Sequence, residues 1–248
     1  MWLWEGDGMS TAQLETWSAT AVNLPEHGHN PIHTDDGARA AGFPAALVAG
    51  VSSYAYMTHV PVCGWGLEWI ASGGAEVRFH APVFDGDAIT VAPSRNDDGD
   101  AVTLLTEGGD RVSARVWTGG AAATAPRDGE SLPSVRRTLG TAWADLGRRL
   151  GDDLPLYGAE GIVHPAAWPS IANDIVHTNL VTGSWIHTRS HIQHHNTVRV
   201  GSEVHVESVV FDRFDSRMGG RAVLDVSITC DGEPVATIEH EAIVSVAS

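Results

Sequence analysis

An internal repeat constrains this chain more than any single residue does. Val83, Gly86 and Val91, in AEVRFHAPVFDGDAITV, recur as Val198, Gly201 and Val206, in SHIQHHNTVRVGSEVHV, each 115 positions further on. His80 and His195 share that offset, and so do Leu47-Val48-Ala49-Gly50 and Ile162-Val163-His164-Pro165. Trp69-Ile70 and Trp185-Ile186 match one residue out of step, and GGDRVSA (108–114) resembles DGEPVAT (231–237) at an offset of 123. The additional eight residues fit a longer hairpin around FDRFDSRMGG (211–220). Self-similarity at a fixed period means copies of one supersecondary unit. We place the two units at 10–125 and 135–247, with TAPRDGESLPS (124–134) as the linker.

The units share a layout. Each has a polar stretch and then an apolar segment of helical character, 45–60 and 165–181. β-rich runs follow at 74–82, 86–93 and 101–118, and again at 184–195, 203–212, 221–230 and 234–246. Asp98-Gly99-Asp100 and Asp231-Gly232 read as turns between them. One helix followed by antiparallel strands is an α+β arrangement. VRRTLGTAWADLGRRL (135–150) has helical spacing and is expected to bridge the halves. Trp69, Trp117, Trp168 and Trp185 fall in core elements, whereas Trp2 and Trp4 fall in a loose N-terminal stretch.

Charge and composition narrow the function. Asp and Glu outnumber Lys and Arg by 31 to 15, a net charge of -16, which argues against nucleic acid and anionic membranes as partners. All 15 basic residues are arginine, so lysine-based Schiff-base chemistry and a Walker-type phosphate loop are excluded. Cys63 and Cys230 give neither a disulfide framework nor a four-cysteine zinc site. No apolar run is long enough to span a membrane, and MWLWEGDGMS lacks the basic and apolar regions of a signal peptide. The expectation is a cytoplasmic protein.

The chemistry is concentrated in HNPIHTDDGARAAGFPAALVAG (29–50). Pro31 fixes its own φ and pushes Asn30 towards an extended conformation, so 30–33 should be a stiff turn. Thr34 or Asp35 is a natural cap for a short helix that Gly42 ends. His33 then stands on a fixed corner, where an imidazole can take and give a proton. Capping the turn is its structural alternative. Asn30 more simply pins the turn than touches a substrate, and Asp35 and Asp36 suit a helix start.

Asn30-Pro31-Ile32-His33, Asp35, Gly42-Phe43 and Val48-Ala49-Gly50, followed by the strand VRFHAPVFDGDAITV, resemble the signature of the MaoC-like, (R)-specific enoyl-CoA hydratase family. The likeness covers about residues 12–118 directly and the rest only through the repeat. It implies the hotdog fold, a central helix wrapped by an antiparallel sheet, and with the repeat the expectation is a double hotdog whose two sheets join edge to edge. It also implies a hydro-lyase that adds water to enoyl thioesters or removes it from 3-hydroxyacyl thioesters. In that reading His33 moves the proton, and Gly50, beside Ala49, offers a backbone N–H to the thioester oxygen. The resemblance implies no metal, and no cofactor is expected. The expected partner is a small-molecule acyl thioester, on CoA or on a carrier protein, and the expected assembly is a homodimer.

The chain departs from the family where a catalytic Asp is expected, because that place is Gly28. Glu26 could swing in, His27 or His29 could pair with His33, or the site could have kept only ligand binding. The family's His before the helix is Ala49 here, and the second unit has His164 at the equivalent place. The second unit has no N-P-I-H segment, so one working pocket is expected, with His164, Asn173 and His177 as wall. His187, His191 and His195, four apart on one strand, should share a face, as pocket wall or polar interface rather than as a metal site. The function expected is hydration or dehydration of an acyl thioester. Isomerisation or cyclisation of a biosynthetic intermediate, and acyl-ligand binding without turnover, are the alternatives.

Overall fold

The computed structural model describes residues 14–152 and 154–246, so Trp2, Trp4 and the expected loose N-terminal stretch lie outside the described residues. The first half opens with β1 (Trp17–Thr20), two 3-10 turns (Pro25–His29 and Pro31–His33) and the short helix α1 (Asp35–Ala40). The long helix α2 (Gly50–Ser72) follows, then β2 (Gly74–Phe79), β3 (Ala88–Asn96), β4 (Gly99–Thr106) and β5 (Gly109–Trp117). The connection carries β6 (Glu130–Ser131) and β7 (Val135–Thr138). The second half contains α3 (Ala142–Arg149), α4 (Pro155–Glu160), α5 (Ala167–Asn179), β8 (Ile186–His194), β9 (Glu203–Ser216), β10 (Gly219–Cys230) and β11 (Glu233–Val246).

The strands form one antiparallel sheet in the order β1-β3-β4-β5-β2-β8-β11-β10-β9-β6, with β7 also on β9. The order shows the repeat directly. β3-β4-β5-β2 in the first half is mirrored by β9-β10-β11-β8 in the second, and the two runs meet where β2 pairs β8, from Gly74 with Gln193 to Arg78 with Arg189. Each half would otherwise expose a strand edge there, and pairing removes both. The fold is an α+β double hotdog, with α2 and α5 on the inner face. From Val51 to Val62 every side chain of α2 is buried, the polar Ser52, Ser53, Thr58 and His59 among them. Trp69, Trp168 and Trp185 are core residues. Trp117 is only half-buried: it lies over the β2–β8 junction, and its Nε1 donates to Gln193 Oε1 at 3.0 Å.

Several boundaries differ from the expectation. The helix expected at 45–60 begins five residues later and runs to Ser72. Residues 47 and 48 are tied to the strand side, Leu47 bridging Phe84 and Val48 N–H donating to Val83. At the other end Pro61 is accommodated, and the chain kinks only at Gly66, whose φ of 58° is left-handed. The second helix is Ala167–Asn179 rather than 165–181. The expected run 101–118 is two strands with a turn at Glu107-Gly108. The expected bridging helix 135–150 is only half helical: Val135–Thr138 pairs with β9, its two-residue burial alternation marking a strand, and Gly140 separates it from α3. The linker is tied down as well, with β6 on β9 and Arg127 paired to Asp225 and Glu239 while lying over the Phe211 ring.

Candidate active site

The N-P-I-H turn is fixed from both sides. Asn30 is buried, and its Nδ2 donates to the carbonyl of Trp185 at 3.0 Å, tying the turn to the second half. Thr34 Oγ1 accepts from Gly37 N–H at 3.3 Å and caps α1, while Asp35 Oδ1 accepts from Ala46 N–H at 3.0 Å and closes the returning loop. Gly42, at φ 88°, makes the left-handed turn out of α1. Leu47 N–H donates to the Ile32 carbonyl at 3.1 Å, which lays the segment before α2 alongside the turn.

His33 is held by the same segment. Its Nδ1 lies 2.8 Å from the Leu47 carbonyl. A carbonyl only accepts, so Nδ1 carries the proton and Nε2 presents a lone pair. Burial pushes the imidazole down to about 4, against the contribution of the Leu47 hydrogen bond, so the ring is a neutral base at neutral pH.

His33 borders a cavity of about 530 Å³ between the halves. The first half contributes Asn30, His33, Gly50, Phe79 and His80, and the second contributes Asn173, Trp185, His187, Arg221 and Glu241. Gly50 is the first residue of α2, and no side chain caps that helix start. Gly50 lines the cavity, and its backbone N–H, at the positive end of the helix, has no side-chain partner. Much of the remaining wall is apolar, including Phe43, Leu47, Val83, Val112 and Ile243. The long β9–β10 hairpin reaches over the mouth with Phe214 and Met218, both exposed. Three arginines line the cavity, and each has a carboxylate partner: Arg78 pairs with Glu76, Arg189 with Glu239 and Glu241, and Arg221 with Glu241.

The structure thus brings together His33, Asn30, Gly50 and Asn173, with Ala49 buried just ahead of Gly50. Glu26, His27 and His29 line a second cavity of about 420 Å³, with Ser52, Arg149 and Asp174. Glu26 is held by Arg149 in a two-pronged pair at 2.6 and 2.7 Å, which keeps its carboxyl below the usual range. His27 Nε2 lies 3.2 Å from Ser52 Oγ, and its ring centre is 5.9 Å from that of His33. His29 donates from Nδ1 to the Glu26 carbonyl at 3.0 Å and meets the ring of His177 edge-on at 4.8 Å. His164 is enclosed at the start of α5, accepting from Ala166 N–H at 3.1 Å, and burial pushes it down to about 4. His164 and His177 border neither cavity. Gly28 is exposed, and a Cβ added there would meet nothing within 4 Å.

The shared face expected for His187, His191 and His195 does not form. The β8–β11 register shifts between Glu241 and Ala242, and this bulge turns His187 to the inner face with Ser190. His191 stays on the outer face against Trp117, and His195 lies beyond β8 with its Nε2 2.9 Å from Thr237 Oγ1. Sequence reasoning missed the contacts of His187 and missed His240 altogether. One signal was available, since His240 falls in the inward-facing series Ala236, Ile238, His240, Ala242 of β11. Among the described residues, no group of three or more His, Cys, Asp and Glu side chains could hold a metal ion.

Residues 24–116 match the family model of the MaoC like domain. No curated protein matches the sequence. Solved structures match both halves of the chain. One protein, assigned as a MaoC domain protein dehydratase from Chloroflexus aurantiacus J-10-fl, superposes with a TM-score of 0.66 at 14% identity, covering 95% of this chain and 96% of that one. A conserved hypothetical protein from Mycobacterium tuberculosis with a double hotdog fold gives 0.64 at 13% identity, with coverages of 95% and 96%. An acyl-ACP thioesterase from Bacteroides thetaiotaomicron gives 0.56 at 10% identity, with coverages of 92% and 97%. At these identities the structures share the fold.

Proposed function

We propose that this protein is a hydro-lyase that adds water to an enoyl thioester, or removes it from the 3-hydroxyacyl thioester. The observation that carries the reading is the pairing of a fixed neutral base with a free helix-start N–H on one largely apolar cavity. Gly50 N–H accommodates the charge that develops on the thioester oxygen. His33 Nε2 takes a proton from water as the water oxygen bonds to the β-carbon, and returns it to the α-carbon as the double bond is lost. One base that takes and returns a single proton balances the reaction without a carboxylate. The MaoC-like match over residues 24–116 supports the chemistry, and the thioesterase among the similar folds supports an acyl thioester substrate. The reading places the protein in the cytoplasm as a homodimer acting on acyl groups carried by CoA or a carrier protein. Among the described residues no helix is long and apolar enough to cross a membrane.

The test is loss of the conjugated-thioester absorbance with crotonyl-CoA and longer enoyl-CoAs. His33→Ala should lower kcat by roughly 100- to 10,000-fold, the usual worth of a general base, with little change in melting temperature. Unchanged turnover in that variant removes His33 from the mechanism. Gly28 favours a second reading, because the family's carboxylate is replaced by a residue whose Cβ position faces open space. A proton-transfer reaction without attacking water, such as isomerisation or cyclisation, needs the same base and N–H but no carboxylate. No hydration at any chain length, with His33-dependent consumption of another activated carbonyl compound, selects it.

A further inference from the structure

The opening of the cavity has a charged end and an apolar end. β2 stops at Phe79, and the cavity reaches round the end of that strand to Arg78 on the outer face of the sheet. Arg189 also borders the cavity, and it is the direct partner of Arg78 across the β2–β8 join. Both lie two residues from the Glu76–His191 pair, so they share its outer face. Phe214 stands on β9, beyond β11 and β10 in the sheet order, so the hairpin with Phe214 and Met218 marks the other end of the opening.

Two arginines directly opposite one another in a ladder repel. The nearby carboxylates offset this only in part, because each is shared. Glu76 serves Arg78 and Arg115, Glu239 serves Arg189 and Arg127, and Glu241 serves Arg189 and Arg221. With Asp225 on Arg127, five cations meet four anions, in a chain whose net charge is -16. The carboxylates also leave part of each guanidinium free. Arg78 donates from Nη2 to Glu76 at 2.8 Å, and Arg189 donates from Nη2 to Glu239 while its Nε lies 3.5 Å from Glu241. Nη1 of both arginines has no hydrogen-bond partner among the described residues. These atoms are open: the Arg78 side chain is 56% exposed, and no nitrogen of Arg189 is both buried and unpartnered.

We propose that Arg78 and Arg189 form an anion site that takes the phosphate of a pantetheine arm. The proposal rests on the acyl-thioester reading of the cavity. A phosphate set between the two guanidiniums accepts charge-assisted bonds from both and relieves their repulsion. The thioester end of the arm is uncharged and passes inward, towards Gly50 and His33. The phosphate stays at the exposed end, where the arm continues into a nucleotide or a carrier protein. The acyl group is left to the apolar wall and to the end of the opening that Phe214 and Met218 cover.

Calorimetric titration with saturated thioesters, which cannot be hydrated, reads this site without the reaction. Three probes share one acyl group: butyryl-pantetheine, which has no phosphate, butyryl-phosphopantetheine and butyryl-CoA. The two phosphorylated thioesters should bind more tightly than butyryl-pantetheine. Arg78→Gln and Arg189→Gln should each weaken both of them by about 10- to 100-fold, the worth of a charged hydrogen bond, and leave butyryl-pantetheine as it was. Arg78→Lys, which keeps the charge without the paired donors, should recover part of the loss. Arg78→Gln gives up only an exposed ion pair, so its melting temperature should hold. Equal affinity of the native protein for all three probes, or equal losses for all three in the variants, overturns the proposal. A loss confined to butyryl-CoA puts a nucleotide phosphate at the arginines and also overturns it. So does glutaryl-pantetheine, whose anion is on the acyl group, if the variants weaken it and spare the phosphorylated thioesters. Phosphate-dependent binding through both arginines, in a protein that hydrates no enoyl thioester, sinks the hydro-lyase reading and leaves the anion site standing.

Discussion

Gly50→Ala puts one methyl group beside the helix-start N–H that the proposed reading assigns to the thioester oxygen. The added Cβ would stand 3.3 Å from His187 Nδ1 and from Phe79 Cε1, and 3.4 Å from Phe79 Cζ. These contacts are tight, but all three are to side-chain atoms, which can yield by a few tenths of an ångström. Overpacking of this kind costs about 1–3 kcal/mol, and the reduced freedom of the unfolded chain returns about 0.4–1 kcal/mol. Net destabilisation is then about 2.6 kcal/mol at most, and in a chain of this size that moves Tm by no more than roughly 5–10 °C. The catalytic effect is separate and larger. The methyl keeps a carbonyl oxygen from reaching the helix-start N–H, so the loss should match removal of one oxyanion donor, about 100- to 1000-fold in kcat. The assay is the initial rate of absorbance loss with crotonyl-CoA, beside a thermal melt of the same preparation. A variant that melts within this range and turns over at the native rate would refute the placement of the thioester oxygen at Gly50.

Glu26→Gln should change turnover less than about threefold and stability by under about 1 kcal/mol, the worth of an exposed ion pair, because Arg149 already holds that carboxylate; a collapse of kcat would make Glu26 the replacement for the absent Asp. Phe214→Ser with Met218→Ser should raise KM for long-chain enoyl-CoAs and spare crotonyl-CoA, since both side chains stand at the cavity mouth; equal effects on both substrates would place the acyl chain elsewhere. Stability should fall as pH drops from about 6.5, the ordinary histidine value, towards 4. His164 and His194 are held near 4 by burial in the folded protein, so between these limits the unfolded chain binds more protons. Each contributes about 1.4 kcal/mol per pH unit in that window and nothing further above it. Equal urea midpoints at pH 5 and pH 7.5 would show that these rings are not neutral in the fold.

The repeat made the architecture legible because it records topology rather than local propensity. Val83–Gly86 and Val198–Gly201 mark the approach to the same strand in both halves, and the edge-to-edge join at β2–β8 follows from two like sheets needing to cover like edges. Helix limits were less legible. The helix expected to end at 60 continues through Pro61 to Ser72, and Val135–Thr138 was hidden by the helical spacing of the residues after it. The N-P-I-H turn was readable because proline and the caps act within a few residues of chain. His187 was not, because a single register shift opposite Glu241 and Ala242 decides which face it takes. A bulge of one residue leaves no pattern in composition or period.

That bulge bears on why one cavity draws on both halves. The first half keeps the turn that fixes His33, and the second half has nothing equivalent. The second half instead supplies what a strand can supply: a carbonyl at Trp185 that anchors Asn30, and the inward histidine two residues later. Without the backbone carbonyl of Trp185 the buried Asn30 amide would lose its acceptor, at a cost of about 1–3 kcal/mol for an unsatisfied buried group. Without the longer β9–β10 hairpin the mouth would lose Phe214 and Met218. The eight-residue difference between the repeats therefore falls where the second copy covers the cavity. The copies have diverged in opposite directions, one towards holding a base and the other towards closing the space around it. Separating them would remove part of the cavity wall from each side, even if each half kept its own helix and sheet.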